Sequence, residues 1–321
     1  MFSDMNISKV ITIFSLTLLF SCGEAPKKEI QESNSYPSIE GFWERKGTVQ
    51  FVNGKPVDTL FYGIDEDGMK NIKVYSNNNV FWINNYSDKN NPWPGGMGGY
   101  GKFEINSDTL TEYMSHGSGT FGAQMHYLKD SLNTDSVKFP FAYILSENSY
   151  IQLGGAVPDV DQNISYGEYY EKLPSLRKSK LDGVWKRAYE ISYINGVAID
   201  TTSVPLDAIL DVKVIKDGYV LVQVDQTNLI KDPTKREYGG GGAFGQIDYE
   251  QKNNMSGNMS EFFEFNGGQW PPVDNKPRDA QTAHYASVSF YDDDMYIQIT
   301  KDTLDRVNSQ AGRGVVYKRV E

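Results

Sequence analysis

The sequence predicts an all-β fold made of two tandem, up-and-down antiparallel β-barrels, the second a duplicate of the first. The main observation is an internal repeat: residues 39–60 reappear as residues 181–202 without a gap, so that Gly183 stands 142 residues after Gly41. A repeat at the spacing of a small domain indicates duplicated domains rather than a solenoid of short units. Composition agrees, because Phe, Trp and Tyr make up 13% of the chain and helical periodicity is sparse.

The repeated unit has the pattern of an antiparallel hairpin with one wet face. Trp43, Val49 and Phe51 share one parity and polar residues occupy the other, which is the period of a half-buried strand. The pair Asn53-Gly54, copied at 195–196, accepts positive φ and so favours a tight two-residue turn. Later segments match with small shifts: 72–74 with 212–214, 112–113 with 261–262, 150–153 with 296–299, and 170–173 with 317–320. The order of strands is therefore the same in both halves.

The repeat also sets the predicted boundaries: a first barrel at 39–173, a linker at 174–180 and a second barrel at 181–321. Beyond the hairpin, strands of the first barrel are expected at 69–75, 80–83, 102–105, 109–115, 120–127, 139–145, 150–153 and 168–173. Short strands joined by hairpin turns favour a closed barrel, since closure removes exposed edges. A sandwich of two sheets is the alternative. Two segments of the second half depart from the strand pattern, and short helices are the alternative there: residues 205–208 and 302–311.

Two glycine-rich stretches interrupt the pattern. Residues 92–99 contain too much Gly and Pro for regular structure, and residues 239–242 are all glycine. Neither stretch precedes Lys-Ser or Lys-Thr or joins a strand to a helix, so phosphate binding is not favoured. We expect these glycines to let the barrel bend sharply, or to let a loop cross its mouth.

The N-terminus has the pattern of a processing segment. Residues 1–21 contain a short apolar run after Lys9, which is the pattern of a signal peptide. The run ends at Cys22, the only cysteine, and residues 19–22 resemble the lipobox of bacterial lipoproteins. That resemblance implies lipidation of Cys22 and attachment to a membrane, and Gly23 after the cysteine implies the outer membrane. Residues 22–38 are then a flexible tether, and the protein belongs to the cell envelope.

Charge and motif content argue against several functions. The net charge of −11, without a dense basic run, disfavours nucleic acid as a partner. The three histidines lack metal-ligand spacing, and no catalytic motif accompanies them. His126 and His284, each followed by Tyr, are expected at matched strand positions. Residues 159–163 begin like a calcium loop but continue without its glycine and glutamate. We therefore predict no catalytic residues, no metal and no cofactor.

One family resemblance can be stated from these residues. Gly41-x-Trp43 and Gly183-x-Trp185 resemble the Gly-x-Trp signature of lipocalins and related calycin barrels. Residues 98–103 and 108–112 are similar to a Gly-rich, Asp-Thr-containing segment of lipocalin-like domains in secreted Bacteroidota proteins. The resemblance implies that a basic residue of the last strand lies across each tryptophan. Lys172 and Arg319 occupy those places, and each should give a cation–π contact of about 1 kcal/mol.

Surplus aromatic residues supply the remaining functional indication. They cluster near the glycine-rich stretches of both halves: Trp82, Trp93, Tyr100, Tyr238 and Trp270. If they ring the barrel mouths, they form a platform for a small apolar ligand or a sugar; alternatively they are packing residues. The sequence thus predicts a lipid-anchored, non-catalytic binding protein. The alternatives are a structural module with filled barrels that contacts an envelope protein, and a barrel enzyme.

Overall fold

Two antiparallel sheets of nine strands each, and one helix, make up the described part of the protein. The computed structural model describes residues 37–61, 69–86, 97–107, 109–153, 164–203, 210–225, 232, 240–268, 283–300 and 311–320. The first sheet contains β1 (Gly41–Val52), β2 (Lys55–Phe61), β3 (Met69–Ser76), β4 (Asn79–Tyr86), β5 (Met97–Asn106), β6 (Thr109–Ser118), β7 (Val137–Leu145), β8 (Ser149–Leu153) and β9 (Ile164–Lys172). The helix α1 (Gly119–Leu132) lies between β6 and β7.

The second sheet follows the linker. It contains β10 (Gly183–Ile194), β11 (Val197–Ser203), β12 (Leu210–Lys216), β13 (Tyr219–Asp225), β14 (Gly240–Asn253), β15 (Ser256–Gly268), β16 (His284–Phe290), β17 (Met295–Thr300) and β18 (Ala311–Arg319). Within each sheet, sequence-adjacent strands pair except β2 with β3 and β11 with β12, which are separated by β1 and β10, and the order of pairing is the same in both sheets.

The first strand of each sheet closes the ring. β1 pairs with β3 on one side and with β9 on the other, so β1 and β3–β9 form an eight-stranded barrel that β2 extends. β10 pairs with β12 and β18 in the same way. The register even shifts at matching places, between Arg45 and Gly47 and between Arg187 and Tyr189. The predicted all-β fold with two tandem barrel-like domains is therefore confirmed, and these pairings favour barrels over a sandwich.

A tryptophan at the base of each barrel is held in the same way. The Nε1–H of Trp43 donates to the carbonyl oxygen of Ile39 at 2.7 Å, and Lys172 Nζ lies 5.1 Å from its ring centroid. In the second barrel Arg319 Cζ lies 4.1 Å from the Trp185 ring. Each expected cation–π pair is present.

The glycine two residues before each tryptophan makes room for that cation. Gly41 has a φ of +129°, where side chains are rarely accommodated, and a Cβ there would come within 2.8 Å of Lys172 Cε. A Cβ at Gly183 would collide with the Arg319 guanidinium. The Gly-x-Trp pattern therefore has a steric cause in this protein.

The strand expected at residues 120–127 is wrong, because this segment belongs to helix α1. Its apolar residues Phe121, Met125 and Leu128 follow helical rather than alternating spacing, and they pack on the barrel core. The helix begins after Ser118 in an extended conformation and ends at Asn133 in the left-handed region. His126 lies on this helix whereas His284 begins β16, so the expectation that they occupy matched strand positions is also wrong.

Part of the glycine prediction is also wrong, since Gly98 and Gly99, expected in an irregular loop, belong to β5. Residues 240–242 of the second glycine-rich stretch belong to β14. A Cβ at Gly98 would meet Gln223 Oε1 at 2.3 Å, and one at Gly242 would meet Ile83 Cδ1 at 2.9 Å. These glycines therefore allow the two sheets to approach closely.

Apolar outer faces join the two barrels. Ile72 and Val74 of β3 pack with Val212 and Val214 of β12 in one buried cluster that also contains Phe42, Phe81, Ile83, Tyr100, Val184, Tyr219, Leu221 and Phe244. Ion pairs border it, with Lys70 Nζ 3.2 Å from Glu264 Oε2 and Lys216 Nζ 2.7 Å from Glu40 Oε2. Residues 174–180 connect the first sheet to the second along the chain. Residues Pro37–Glu321 together form one compact unit.

A titratable histidine lies at this junction. Burial lowers the pKa of His116 to about 4; Asp225 acts in the opposite direction, and Lys129 and Lys186 reinforce the lowering. In the unfolded chain this histidine takes up a proton near pH 6.5, whereas in the folded protein it stays neutral down to about pH 4. The free energy of unfolding should therefore decrease as the pH falls from about 6.5 to 4, by up to roughly 3 kcal/mol. We expect His116→Gln to flatten this part of the pH profile of the unfolding free energy in urea titrations. A variant with the wild-type profile would contradict this assignment.

Candidate functional site

The lumen of the first barrel contains a cavity of about 310 Å³. Its polar lining comes from Arg45, Asn71, Lys73, Asn84, Glu112, Gln152, Glu168 and the hydroxyl-bearing Tyr170. Its apolar lining comes from Trp82, Met97, Met114, Phe121, Phe139 and Phe141. Ligand pockets begin at about this volume and combine apolar walls with a few placed polar groups. The cavity is therefore the candidate functional site.

A buried ion pair lies in the wall of the cavity. Lys73 Nζ donates to Glu112 Oε1 at 3.0 Å and to Gln152 Oε1 at 2.8 Å. Tyr75 also donates its hydroxyl to Glu112 Oε1, at 2.6 Å. All three groups of the Lys73–Glu112–Gln152 triad are 4% exposed or less. Charges this deep require a partner, and these bonds supply it.

A second ion pair spans β1 and β9. Arg45 Nη1 lies 3.0 Å from Glu168 Oε1, and Tyr170 donates its hydroxyl to Glu168 Oε2 at 2.7 Å. Burial, reinforced by Glu168, raises the pKa of Tyr170 well above its usual value, so this hydroxyl remains a donor. Together the two pairs balance the lining, with one carboxylate for each cation.

Asn71 on β3 is the polar lining residue with an open acceptor. The side chain is 7% exposed, and its Oδ1 makes no hydrogen bond to the described residues. A buried acceptor without a partner costs about 1–3 kcal/mol, so such atoms usually indicate a missing donor. Asn71 is also one of the residues that line the cavity.

An aromatic wall stands beside these polar groups. The rings of Trp82 and Phe121 meet edge to face at a centroid distance of 4.8 Å. Gly99 opposite Trp82 makes this possible, because a Cβ there would lie 2.4 Å from Trp82 Nε1. Helix α1 supplies Phe121, which explains why the helix matters for the site.

The structure places the aromatic residues predicted to bind ligand in different environments. Trp82 lines the cavity, whereas Tyr100 lies in the apolar cluster between the barrels, where its ring is tilted against that of Phe81 at a centroid distance of 4.7 Å. The two side chains project from opposite faces of the sheet and do not form one platform. Outside the described residues lie Trp93, Tyr238, Trp270 and Cys22, as do residues 159–163, 205–208 and 302–310.

The second barrel repeats the triad but differs around it. Lys213 Nζ donates to Glu261 Oε1 at 2.5 Å and to Gln298 Oε1 at 3.0 Å. By strand register, the positions of Trp82 and Asn84 are taken by Val222 and Val224, which pack into the lumen core. The triad is therefore common to both barrels, while the aromatic wall of the cavity is not.

The triads were not predicted from the sequence, although the segments that contain them match between the two halves. Ile72-Lys73-Val74 has the alternation of a strand whose lysine faces solvent. The structure reverses this, because the aliphatic residues face the other barrel and Lys73 faces the lumen. The available signal was the recurrence of lysine, glutamate and glutamine at matched positions in both halves.

Other site chemistry is limited within the described ranges. They contain no group of three or more His, Cys, Asp or Glu residues arranged to hold a metal ion. Their helix is too short and too polar to cross a membrane.

Comparison with known proteins adds little about function. No protein-family model matches the chain, and no curated protein matches it. Among solved structures, similarity is found to a protein of unknown function of the DUF3598 family from Nostoc punctiforme, at 11% identity and a TM-score of 0.21, covering 88% of this chain and 96% of that one. A candidate outer membrane protein from Bacteroides fragilis gives 10% identity and a TM-score of 0.22, covering 88% and 98%.

A third similarity covers only part of its counterpart. The isotype 1 transferrin-binding protein B from serogroup B Neisseria meningitidis gives 9% identity and a TM-score of 0.18, over 84% of this chain and 61% of that one. TM-scores at this level do not establish a shared fold, and nothing about function follows from them.

Proposed function

We propose that the protein is a non-catalytic binding protein that holds a small molecule in the lumen of its first barrel. The observation that carries this proposal is the cavity of about 310 Å³, which combines an aromatic wall with buried polar side chains, among them Asn71, whose Oδ1 has no hydrogen-bond partner among the described residues. A close-packed barrel of a purely structural module would not leave this space. The balanced ion pairs then fix the walls rather than perform chemistry.

The remaining parts of the proposal come from the sequence. The Gly-x-Trp pattern and its cation favour a lipocalin-like ancestry with duplication of one barrel. Signal-peptide and lipobox patterns favour a lipid anchor at Cys22 and a location at the outer membrane of the cell envelope. On this proposal the anchor keeps the binding barrel at a membrane surface, and the ligand is either apolar or a saccharide.

The full chain purified from its own host tests the proposal. Native mass spectrometry should find a bound small molecule, and a panel of alkanols and sugars should contain members that raise the thermal midpoint. Met97→Trp, which places an indole in the cavity, should abolish both effects. The control Tyr127→Trp changes a side chain that is 69% exposed on α1 and should leave them intact. An empty protein that no probe stabilises would refute binding and favour the structural module.

A further inference from the structure

The two barrels differ at one position that bears on which ligand the cavity takes. Asn71 on β3 corresponds to Asp211 on β12, since each lies two residues before the lysine of its triad. Asp211 Oδ2 lies 2.8 Å from Arg187 Nη1, and Arg187 also pairs with Glu190. In the second barrel this position is therefore occupied by one half of an ion pair.

The first barrel makes its arginine pair elsewhere. Arg45, the counterpart of Arg187, takes its carboxylate from Glu168 on β9, where the second barrel has Val315. The carboxylate that pairs with the arginine is therefore on β9 in the first barrel, whereas in the second barrel it is on β12, the equivalent of β3. The first barrel has the uncharged amide of Asn71 at that position. Asn71, a residue that lines the cavity, is left with a buried Oδ1 that has no hydrogen-bond partner among the described residues.

The triads show a second difference of the same kind. In the second barrel Gln298 Nε2 donates to Glu261 Oε2 at 3.4 Å. The two atoms that do not contact Lys213 are therefore hydrogen-bonded to each other. In the first barrel the hydrogen bonds of Glu112 and Gln152 among the described residues run through Glu112 Oε1 and Gln152 Oε1. The cavity therefore presents an acceptor, Glu112 Oε2, and a donor, Gln152 Nε2.

We infer that the ligand is a neutral, polyhydroxylated ring of the size of a monosaccharide, read by Asn71, Glu112 and Gln152. This inference rests on the proposed binding function. A hydroxyl group both donates and accepts, so it satisfies Asn71 Oδ1, Glu112 Oε2 and Gln152 Nε2, which an alkyl chain cannot do. The C–H face of a sugar ring packs on the Trp82 and Phe121 wall.

Charge and volume exclude other ligand classes. Lys73 is already balanced by Glu112, and Arg45 by Glu168, so an ionised ligand would bring an uncompensated charge into the lumen. A volume of about 310 Å³ equals that of roughly ten water molecules, which suits one ring rather than a long lipid tail.

Binding of neutral hexoses to the full-length protein, measured by calorimetry, tests this inference. The comparison ligands are the amino and uronic acid forms of the same sugars, and decanol. We expect saturable binding of at least one neutral hexose, with its charged forms weaker by about tenfold or more and no binding of decanol. A different outcome is that neutral hexoses do not bind, whereas decanol or a charged sugar binds to the wild type and not to the Met97→Trp variant. That result would overturn the ligand class but would still support binding in the lumen. Binding of no probe would count against the proposed function itself.

Asn71→Asp gives a matched test of the residue. The new carboxylate should draw the Arg45 guanidinium, as Asp211 draws Arg187, and weaken hexose binding by at least about tenfold. The exchange in the other barrel, Asp211→Asn, should leave hexose affinity unchanged. Asn71→Leu, which keeps the volume without the acceptor, covers the case in which the aspartate variant folds poorly. Hexose affinity within threefold of wild type in either folded Asn71 variant would overturn the assignment.

Discussion

Glu112→Ala should destabilise the protein by about 3–5 kcal/mol, which is among the largest losses we expect from a single substitution. Among the described residues, the change leaves Lys73 Nζ in the lumen with Gln152 as its one remaining hydrogen-bond partner, and an unpaired buried charge is costly. Tyr75 also loses its acceptor. The measurement is the free energy of unfolding from urea titration at pH 7.

Two controls separate this effect from a general intolerance of substitution. Glu104→Ala removes an exposed carboxylate of β5 and should cost less than about 1 kcal/mol. The double change Lys73→Met with Glu112→Leu replaces the pair by apolar groups and should recover most of the loss. If Glu112→Ala cost no more than Glu104→Ala, the buried pair would not have the role assigned here.

Trp43→Ala should cost about 3–5 kcal/mol, because the indole is fully buried and its removal leaves a large void at the base of the barrel. The ring meets Tyr150 edge to face at 4.9 Å, so the loss also loosens the neighbouring aromatic stack. Trp185→Ala should have a comparable effect, since its ring meets Tyr296 at 4.7 Å in the second barrel. Urea titration again provides the measurement.

Lys172→Met supplies the graded comparison for Trp43. It keeps an unbranched side chain over the indole but removes the cation, and should cost about 0.5–1 kcal/mol. A loss from Trp43→Ala as small as that from Lys172→Met would mean that the indole does not hold the barrel closed.

The architecture could be predicted from the sequence because the signals for it are local and occur twice. Asn53-Gly54 and its copy specify hairpins through their backbone preferences, and both asparagines indeed have positive φ. Helix α1 was missed because Phe121 and Met125 fit alternation and helical spacing equally well over a short window. Leu128, one turn further, is the residue that distinguishes the two.

The candidate site was less predictable because its composition depends on which face of each strand points inward. Trp82 was among the residues predicted for the site and lines the cavity, but the lining residues Asn71, Glu112 and Gln152 were not predicted, since polar residues in alternating strands normally face water. Here the outer face is covered by the second barrel, and polar side chains occupy the lumen instead. Only the pairing of one half with the other decides this, and it is not encoded in local periodicity.

The apolar outer face shared by the barrels has a consequence for any shorter form of this protein. A chain that ended near residue 180 would expose Ile72, Val74 and Phe81 to water, and the hydrophobic effect would drive two such chains to associate. In the intact chain the seven-residue connection at 174–180 makes that encounter intramolecular, at an effective concentration in the millimolar range. Two separate barrels would form a dimer whose population depends on concentration. Joining the barrels in one chain makes their association independent of protein concentration.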